Sequence, residues 1–520
     1  MRLRLRVVVP LLLALVAAGA PLSAAEAATN PTTGFRWIGV PAADGVRLAA
    51  NVVEPTTPGR HPAIVFISSW GLNDAEYLVQ ADHLARAGYT VLSYTTRGFW
   101  GSGGQIDTGG PKDVSDVSAV LDWLTAHTTA DPDRIGVSGV SYGSGIALIA
   151  AGFDPRIKAV AAMSCWVDLV DALYAGQTRH VQAVLLLQAV ATLTGRPGPE
   201  LNQALADYFA NRNVEATEAW AWKRSALTYL SEINAHHPAV LIANAYGDSV
   251  FGPNPLIDFF AGLTGPKRLE LAPGDHAVVE ATGLLGLDNH VWTSVRRWFD
   301  HYLSNVDNGI AGEPAVVLRT LGGQTAEGYA DWAHVSTGTA RYALGPVPWT
   351  GTGVLGDEPD RDWSQRIWTG LDTTADAGVA LLSNGLAGLS GIPPINWLPT
   401  VSRINGAVWD TGALAGGAHI RGIARLRLSL RSAPPTGTLV GYLYDADALG
   451  IGRLITAAPV TWTAPTTSVT TAFPVASYDV PVGHHLVLVL DTRDPLYLDA
   501  NGTIAPITVA GASTLDVPTR

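Results

Sequence analysis

The amino-acid sequence predicts an α/β domain with a helical insertion, followed by an all-β domain. Between about residues 35 and 305, apolar runs of strand length alternate with amphipathic helical stretches. This alternation is typical of a parallel sheet covered on both faces by helices. Consecutive helical stretches interrupt it between residues 166 and 236. After residue 305 a polar linker leads to short strands separated by turn residues, in a segment rich in Thr, Val, Gly, Pro and Trp.

The first domain is predicted from eight strand signals. The first two flank a turn at residues 43–45 and predict an opening hairpin. Helices are expected near residues 75–87, 113–127 and 290–303, where apolar positions recur at helical spacing. The predicted strands are FRWIGV, VRLAANVV, AIVFIS (63–68), YTVLSY (89–94), RIGVSG (134–139), IKAVAAMS (157–164), AVLIANAY (239–246) and KRLELAP (267–273).

The insertion at residues 166–236 reads as three or more helices between two sheet strands. Such an insertion is expected to lie over the strand ends as a cap. The alternative is a set of helices packed on the outside. We therefore assign residues 35–165 and 237–305 to the α/β domain and residues 166–236 to the cap.

The last 200 or so residues predict a β-sandwich, in jelly-roll form, over residues 314–520. The strand signals there include ARLRLSL (424–430), TLVGYLYDA (438–446), APVTWTA (458–464) and HLVLVLDT (485–492).

Charge and cysteine content narrow the class of protein. The formal net charge of −12 provides no electrostatic footprint for nucleic acid or an anionic membrane. The single cysteine, Cys165, excludes an internal disulfide, so stability depends on core size. We expect Cys165 to be a buried hydrophobic residue.

The N-terminus has the layout of a secretory signal peptide. Arginines at positions 2, 4 and 6 precede an apolar run that ends in small residues near Ala27. A membrane anchor is the alternative, but Pro10 and Pro21 interrupt the run, which is shorter than a span requires. We expect residues 1–27 to be removed, the mature protein to be secreted and no membrane attachment to remain.

Ser141 is the candidate nucleophile. The pattern Gly139-Val140-Ser141-Tyr142-Gly143 is weak by itself in a chain with 55 glycines. Its context is specific, because a predicted strand is followed directly by a predicted helix, the setting in which a tight turn exposes a serine hydroxyl above a sheet. The helix N-terminus would place the Tyr142 amide to hold an oxyanion.

A serine nucleophile needs a base and an acid that orients the base. Asp248 follows AVLIANAYG and His276 follows KRLELAPGD, so both lie just beyond a strand, in the chain order Ser, Asp, His. A turn residue and a surface-loop histidine are the alternative readings. Asp258 and His290 are weaker candidates because both lie on predicted helices, and Asp275 is expected to shape the loop.

Six segments in this order resemble one known family: FISSWG, YTTRGFWGSGG, GVSYGSG, AYGDSVF, APGDHA and the β-rich tail. Together they resemble the CocE/NonD and Xaa-Pro dipeptidyl-peptidase (S15) serine hydrolases, from about residue 35 to 515. The resemblance implies an α/β-hydrolase fold, with Ser141 as nucleophile, Asp248 as acid, His276 as base and the Tyr142 amide as an oxyanion donor. It also implies that the tail packs against the catalytic domain and forms one side of the pocket.

The second oxyanion donor is open at this point. Members of the family commonly have a tyrosine after the third strand, where this chain has Trp70. Its indole N–H can donate but cannot accept a hydrogen bond. Either this N–H or a nearby backbone amide is expected to donate; otherwise Trp70 lines the acyl pocket.

No metal or organic cofactor is expected. Asp107 and the pair His236-His237 are possible ligands by type, but adjacent residues on an extended segment point to opposite sides. The chain also lacks a Cys/His cluster and a His-Glu-x-x-His element.

These observations favour a secreted serine hydrolase that cleaves a small-molecule ester, amide or peptide through an acyl-enzyme, with an ester preferred. The alternative substrate class is that of a dipeptidyl-peptidase, which needs carboxylates to hold a free α-amino group. Candidates in the cap are Asp168, Asp171, Asp207, Glu215 and Glu218. A glycan- or polymer-binding protein on a hydrolase scaffold is the third reading, suggested by Trp332, Trp363, Trp397 and Trp409.

Overall fold

The structure is a computed structural model that describes residues 33–323, 325–348, 351–358, 361–502 and 504–520. The predicted signal peptide, residues 1–27, lies outside the described residues.

A ten-stranded mixed sheet forms the centre of the first domain. Its spatial order is β1-β2-β4-β3-β5-β6-β7-β8-β9-β10. The seven strands from β3 to β9 pair in parallel, whereas β1, β2 and β10 are antiparallel to their neighbours. The strands are β1 (Thr33–Pro41), β2 (Arg47–Pro55), β3 (His61–Ile67), β4 (Thr90–Tyr94), β5 (Ala130–Val140), β6 (Ile157–Met163), β7 (Ala239–Ala245), β8 (Lys267–Ala272), β9 (Val316–Arg319) and β10 (Ala326–Tyr329).

Helices cover both faces of this sheet. Strand β3 shows why its sequence is continuously apolar: Val65 and Ile67 face one core, and Ile64 and Phe66 face the other. The predicted α/β-hydrolase architecture is confirmed. No helix in the described part of the chain is long and apolar enough to span a membrane. The helices of this domain are α1 (Leu78–Arg86), α2 (Pro111–His127), α3 (Tyr142–Ala151), α4 (Leu169–Tyr174), α5 (Val181–Thr194), α6 (Pro199–Ala210), α7 (Val214–Trp222), α8 (Leu230–His236), α9 (Asn254–Gly262), α10 (Ala281–Leu284) and α11 (His290–Ser304).

Helices α4 to α8 follow β6 and precede β7, where the insertion was expected. Residues of α4, α5, α6 and α7 line a cavity that also contains Ser141. These helices therefore form a roof over the serine rather than an outer layer.

An all-β domain follows, as predicted. Two buried clusters form its core, one of which includes Trp363 and Trp409. Of the other two tryptophans proposed as glycan-stacking surfaces, Trp332 packs against the first domain and Trp397 is exposed. The elements are β11 (Gly338–Leu344), β12 (Gly353–Gly356), β13 (Ser364–Trp368), α12 (Ser383–Ser390), β14 (Ile395–Trp397), β15 (Gly406–Ala413), β16 (Ala418–Gly422), β17 (Arg425–Ser432), β18 (Gly437–Ala446), β19 (Ile451–Trp462), β20 (Ser468–Ala472), β21 (Ala476–Val480), β22 (His485–Asp491) and β23 (Pro506–Thr519).

One segment departs from the predicted boundary at residue 314. Strands β9 and β10, assigned from sequence to the sandwich, instead extend the edge of the central sheet. Val316 and Leu318 are fully buried in the core of the first domain. By pairing with β8, strand β9 covers backbone groups of β8 that would otherwise form an unpaired sheet edge.

The all-β domain contacts the loops that follow β7 and β8. The Leu381 N–H donates to the Ser249 hydroxyl oxygen over 2.9 Å, and the Asn384 side-chain amide donates to the Gly247 carbonyl over 2.9 Å. The predicted packing of the tail against the first domain is thus seen at the loop that contains Asp248.

Candidate active site

Ser141 occupies a strained turn between β5 and α3. Its backbone has φ +56° and ψ −115°, in the positive-φ region that non-glycine residues rarely adopt. Neighbouring positions leave no room for a side chain, since a Cβ on Gly143 would lie 2.0 Å from the Ile67 carbonyl oxygen, and one on Gly139 would lie 2.6 Å from the Gly143 carbonyl carbon. The two glycines therefore permit the turn that presents the serine hydroxyl.

Three of the residues predicted from sequence form one hydrogen-bonded chain. His276 Nε2 lies 2.7 Å from Ser141 Oγ, and His276 Nδ1 lies 2.9 Å from Asp248 Oδ2. All three residues are less than a tenth exposed. Because a carboxylate only accepts, the proton lies on Nδ1 and Nε2 is free to accept the serine proton.

The loops after β7 and β8 fix this arrangement. Asp248 Oδ1 accepts hydrogen bonds from the Val250 and Phe251 amides, at 2.9 and 2.7 Å. Asp275 Oδ1 accepts from the amide of His276 and from the amide and hydroxyl of Ser249, each over 2.8 Å. The carboxylate of Asp275 thus ties the histidine loop to the acid loop, as its expected loop-shaping role requires.

The weaker candidates lie elsewhere. Asp258 is on α9 and lines a separate cavity, and His290 is the first residue of α11. The sequence order Ser, Asp, His therefore identified the three side chains that meet.

His276 is electrostatically poised to act as a base. Burial alone would lower its pKa, but the Asp248 carboxylate, through its charge and its hydrogen bond, raises the pKa above the ordinary histidine value. A raised pKa makes the imidazole a stronger proton acceptor.

Two backbone amides are available as oxyanion donors. Among the described residues, no hydrogen-bond acceptor is found for the N–H of Tyr142 or of Trp70. Tyr142 is the first residue of α3, so its N–H has no partner within the helix, and the helix dipole favours negative charge there. Tyr142 directly follows the serine, and Trp70 lines the same cavity as the serine.

The indole N–H of Trp70 has a hydrogen-bond partner in the cap. Its Nε1–H donates to the Leu187 carbonyl of α5 over 2.9 Å, and its ring packs edge-on against Tyr142 at 5.0 Å. The indole is engaged by the cap, and the ring lines the cavity. Of the two N–H groups of Trp70, the indole has an acceptor, and no acceptor is found for the backbone amide among the described residues.

A buried carboxyl that the sequence analysis missed holds the Trp70 loop. Glu76 lies 2.8 Å from the Ser69 amide and 2.5 Å from the Ser69 hydroxyl, which is itself 3.0 Å from the Val140 carbonyl. Ser69 donates to this carboxyl through both its amide and its hydroxyl, and so fixes the loop before Trp70. Burial raises the pKa of Glu76 to about 7.

A second missed carboxyl lies behind Tyr142. The Tyr142 hydroxyl donates to Asp113 Oδ2 over 2.5 Å, and the Gly109 amide approaches the same oxygen at 2.9 Å. Asp113 is 1% exposed. The helical pattern of residues 113–127 gave no sign of this contact, because it depends on the packing of α2 against α3.

The cavity beside Ser141 is apolar and has a volume of about 90 Å³. Four aromatic side chains surround the serine: Trp70, Tyr142, Trp166 and Phe251. The rest of the lining comes mainly from the cap: Thr108, Leu169, Leu173, Val184, Leu187, Gln188, Ala191, Leu201, Ala204, Leu205, Tyr208, Thr217 and Trp220.

None of the five cap carboxylates lines this cavity. Asp168 caps α4 by accepting from the amides of residues 170 and 171, and Asp207 pairs with Arg212 at 2.7 Å. Asp171 lines a larger cavity of about 440 Å³, formed by the cap, the loop that contains Asp248 and the all-β domain. Glu215 and Glu218, on α7, are absent from both linings.

No group of three or more His, Cys, Asp or Glu side chains that could hold a metal occurs among the described residues. The possible ligands named from sequence have other partners. Asp107 accepts from the Lys112 amide at 2.8 Å, and His236 Nδ1 lies 2.9 Å from the Ala151 carbonyl.

Comparison with protein-family models finds two matches. Residues 44–278 match the X-Pro dipeptidyl-peptidase (S15 family) model, and residues 308–519 match the X-Pro dipeptidyl-peptidase C-terminal non-catalytic domain. Between them they include the catalytic candidates and the all-β domain.

A thiohydrolase from Arthrinium phaeospermum is 38% identical over 214 residues, which cover 35% of this chain and 70% of the relative. Among solved structures, an alpha-amino acid ester hydrolase has a TM-score of 0.70 at 16% identity, covering 96% of this chain and 98% of the other. A CocE/NonD family hydrolase from Staphylococcus aureus has a TM-score of 0.70 at 13% identity, covering 96% and 98%. At these identities the two structures show likeness of fold.

Proposed function

Because the chain belongs to the X-Pro dipeptidyl-peptidase (S15) family of hydrolases, we propose that it hydrolyses an ester through an acyl-enzyme on Ser141. The observation behind this proposal is the continuous hydrogen-bonded chain from Ser141 Oγ through His276 to Asp248. A serine hydroxyl becomes a useful nucleophile when a positioned base removes its proton.

Acylation follows from this geometry. As Ser141 Oγ attacks the ester carbonyl carbon, its proton moves to His276 Nε2 and the carbonyl oxygen becomes an oxyanion. The amides of Tyr142 and Trp70 stabilise that charge. His276 then gives the proton to the departing alkoxide, the bond from the carbonyl carbon to the leaving oxygen breaks, and the acyl group remains on Ser141.

Deacylation repeats these steps with water. His276 accepts a proton from the water as it attacks the acyl carbon, and it returns the proton to Ser141 Oγ as the acid leaves. Asp248 stabilises the imidazolium formed in both halves of the reaction and holds its tautomer.

The second candidate activity is that of an X-Pro dipeptidyl-peptidase, which the name of the matching family model favours. An enzyme of that kind holds the cationic α-amino group of its substrate by ion pairing. The cavity at Ser141 has no carboxylate in its lining, which supports an ester with an apolar acyl group instead.

Two measurements test the proposal. A fluorophosphonate probe should label the wild-type protein and not Ser141→Ala, and hydrolysis of a short-chain p-nitrophenyl ester should exceed that of Ala-Pro-p-nitroanilide. Absence of labelling in wild type, or full esterase activity in Ser141→Ala, contradicts the serine mechanism. A preference for the anilide selects the peptidase.

Export is part of the same proposal. The sequence signal at residues 1–27 supports it, and N-terminal sequencing of the protein from culture medium tests it. A mature chain that begins near residue 28 is the expected result, whereas retention in the cells with residue 1 intact contradicts it.

A further inference from the structure

The cavity at Ser141 is lined by uncharged side chains. Its lining among the described residues contains no Asp, Glu, Lys, Arg or His. Two buried carboxyls lie behind the lining: Asp113 is held by the Tyr142 hydroxyl and the Gly109 amide, and Asp248 by His276. A cation in this cavity would lose its hydration without gaining a counter-ion, which is strongly unfavourable.

Two polar atoms in this lining have no partner. The hydroxyl oxygen of Thr108 and the indole nitrogen of Trp220 are both buried and make no hydrogen bond within the described structure. A buried donor or acceptor without a partner is destabilising, and sites with such groups favour the ligand that satisfies them.

The backbone of Thr108 adds an independent observation. Thr108 has φ +59°, in the left-handed region that β-branched residues rarely adopt. Residues strained in this way cluster at active sites and ligand clamps, where the surrounding structure holds them. Here the next residue, Gly109, is hydrogen-bonded to Asp113 and Tyr142, which fixes the loop.

Arg224 contacts both the ring of Trp220 and the residue before Thr108. Its guanidinium stacks on the Trp220 ring at 4.4 Å and donates through Nε to the Asp107 carbonyl over 3.1 Å, immediately before Thr108. Arg224 is itself buried and paired with Glu200 at 2.9 Å. Glu200, rather than a residue of the cavity lining, therefore balances the positive charge of Arg224.

Resting on the proposed hydrolase function, we propose that the acyl half of the substrate is uncharged and mainly apolar, with one hydrogen-bonding oxygen that is held by Thr108 and Trp220. Ether, ketone and hydroxyl oxygens are the chemical classes that fit. The apolar walls bind the carbon chain, and the two polar side chains select the position of the oxygen. An acyl group with an α-ammonium is excluded.

The first experiment compares two esters of nearly the same shape. The p-nitrophenyl esters of isobutyrate and of L-alanine differ at one position, where isobutyrate has a methyl group and alanine has an amino group. At about pH 6.5 this α-amino group is protonated. We expect kcat/KM for the isobutyrate ester to be at least about tenfold higher. An equal or higher value for the alanine ester overturns the proposal.

The second experiment locates the oxygen. The p-nitrophenyl esters of octanoate and of its 3-, 5- and 7-oxa analogues are compared in wild type, Thr108→Val, Thr108→Ser and Trp220→Phe. We expect one oxa ester to exceed octanoate in kcat/KM by about tenfold. That ratio should fall in Thr108→Val or Trp220→Phe and recover in Thr108→Ser.

A matched control is Thr192→Val, at an exposed position on the outside of α5, which should leave the ratio as in wild type. The proposal is overturned if no oxa ester is preferred, or if the preference survives in both Thr108→Val and Trp220→Phe. Thermal unfolding of each variant verifies folding. Failure of the hydrolase proposal itself looks different, since all the esters and the fluorophosphonate label would then fail together.

Discussion

The hydroxyl of Tyr142 lies 2.5 Å from Oδ2 of Asp113, and the backbone amide of the same tyrosine is the one that we assign to the oxyanion. Burial raises the pKa of Asp113 to about 8, and the negative charge of Asp107 contributes a smaller part of the increase. The folded protein therefore binds this proton more tightly than the unfolded chain. Its contribution to stability is present at low pH and is lost as the pH rises toward 8.

Replacing Asp113 by Asn keeps an acceptor for Tyr142 and removes the titration. We expect urea unfolding of wild type to show a larger loss of stability between pH 6 and pH 9 than unfolding of Asp113→Asn. Asp113→Ala, which removes the acceptor of the buried Tyr142 hydroxyl, should lower the free energy of unfolding by about 1–3 kcal/mol. Equal pH dependence in wild type and Asp113→Asn would show that Asp113 is not the titrating group.

The hydrogen bonds that link Ser141, His276 and Asp248 predict a graded loss of activity on substitution. Ser141→Ala and His276→Ala should lower kcat for a p-nitrophenyl ester by about 10⁶-fold, and Asp248→Asn by about 10⁴-fold, because its amide favours the wrong tautomer of His276. The matched control is Asp258→Asn. Asp258 lies on α9 and makes no hydrogen bond to His276, so this variant should retain wild-type kcat. Loss of activity in the control with full activity in Asp248→Asn would reassign the acid.

The raised pKa of His276 predicts the acid limb of the pH profile. His276 must be unprotonated to accept the serine proton, so kcat/KM should fall as the pH decreases, with a midpoint above the ordinary value of 6.5. Removal of the Asp248 charge in Asp248→Asn should lower this midpoint, whereas Asp258→Asn should not change it. A midpoint that stays fixed in Asp248→Asn would mean that another group controls the limb.

Trp70→Phe separates the two possible oxyanion donors at this position. The variant loses the indole hydrogen bond to Leu187 and keeps the backbone amide. We expect kcat to fall less than tenfold and stability to fall by about 1 kcal/mol. A loss of 10² to 10³ in kcat is the value associated with removal of an oxyanion donor and would assign that role to the indole.

Ser141, Asp248 and His276 were predictable because each follows a strand whose apolar sequence is unmistakable. The carboxyl ends of parallel strands meet at one edge of the sheet, so strand order alone brings these side chains together. Strands β3 to β8 were predicted for the same reason, with boundaries close to those observed.

Glu76 and Asp113 could not be predicted, because their roles depend on burial against elements distant in sequence. Each is an acid near the start of a helix or 3₁₀ turn, a position where exposed carboxylates are common. The hydrogen bond of the Trp70 indole was not predictable for a related reason: its partner, the Leu187 carbonyl, belongs to a helix whose placement the sequence did not determine. Strands β9 and β10 were assigned to the wrong sheet because a four-residue strand has no sequence feature that specifies its neighbours.

The hydrogen bond from Leu381 to Ser249 limits how far this enzyme can be truncated from its C-terminus. The Ser249 hydroxyl in turn donates a hydrogen bond to Asp275, the residue that positions the loop of His276. A shortened gene product that stops before residue 381 would lack the amide that orients this hydroxyl. Minimal versions for engineering should therefore retain the C-terminal half, although it contributes no reacting atom.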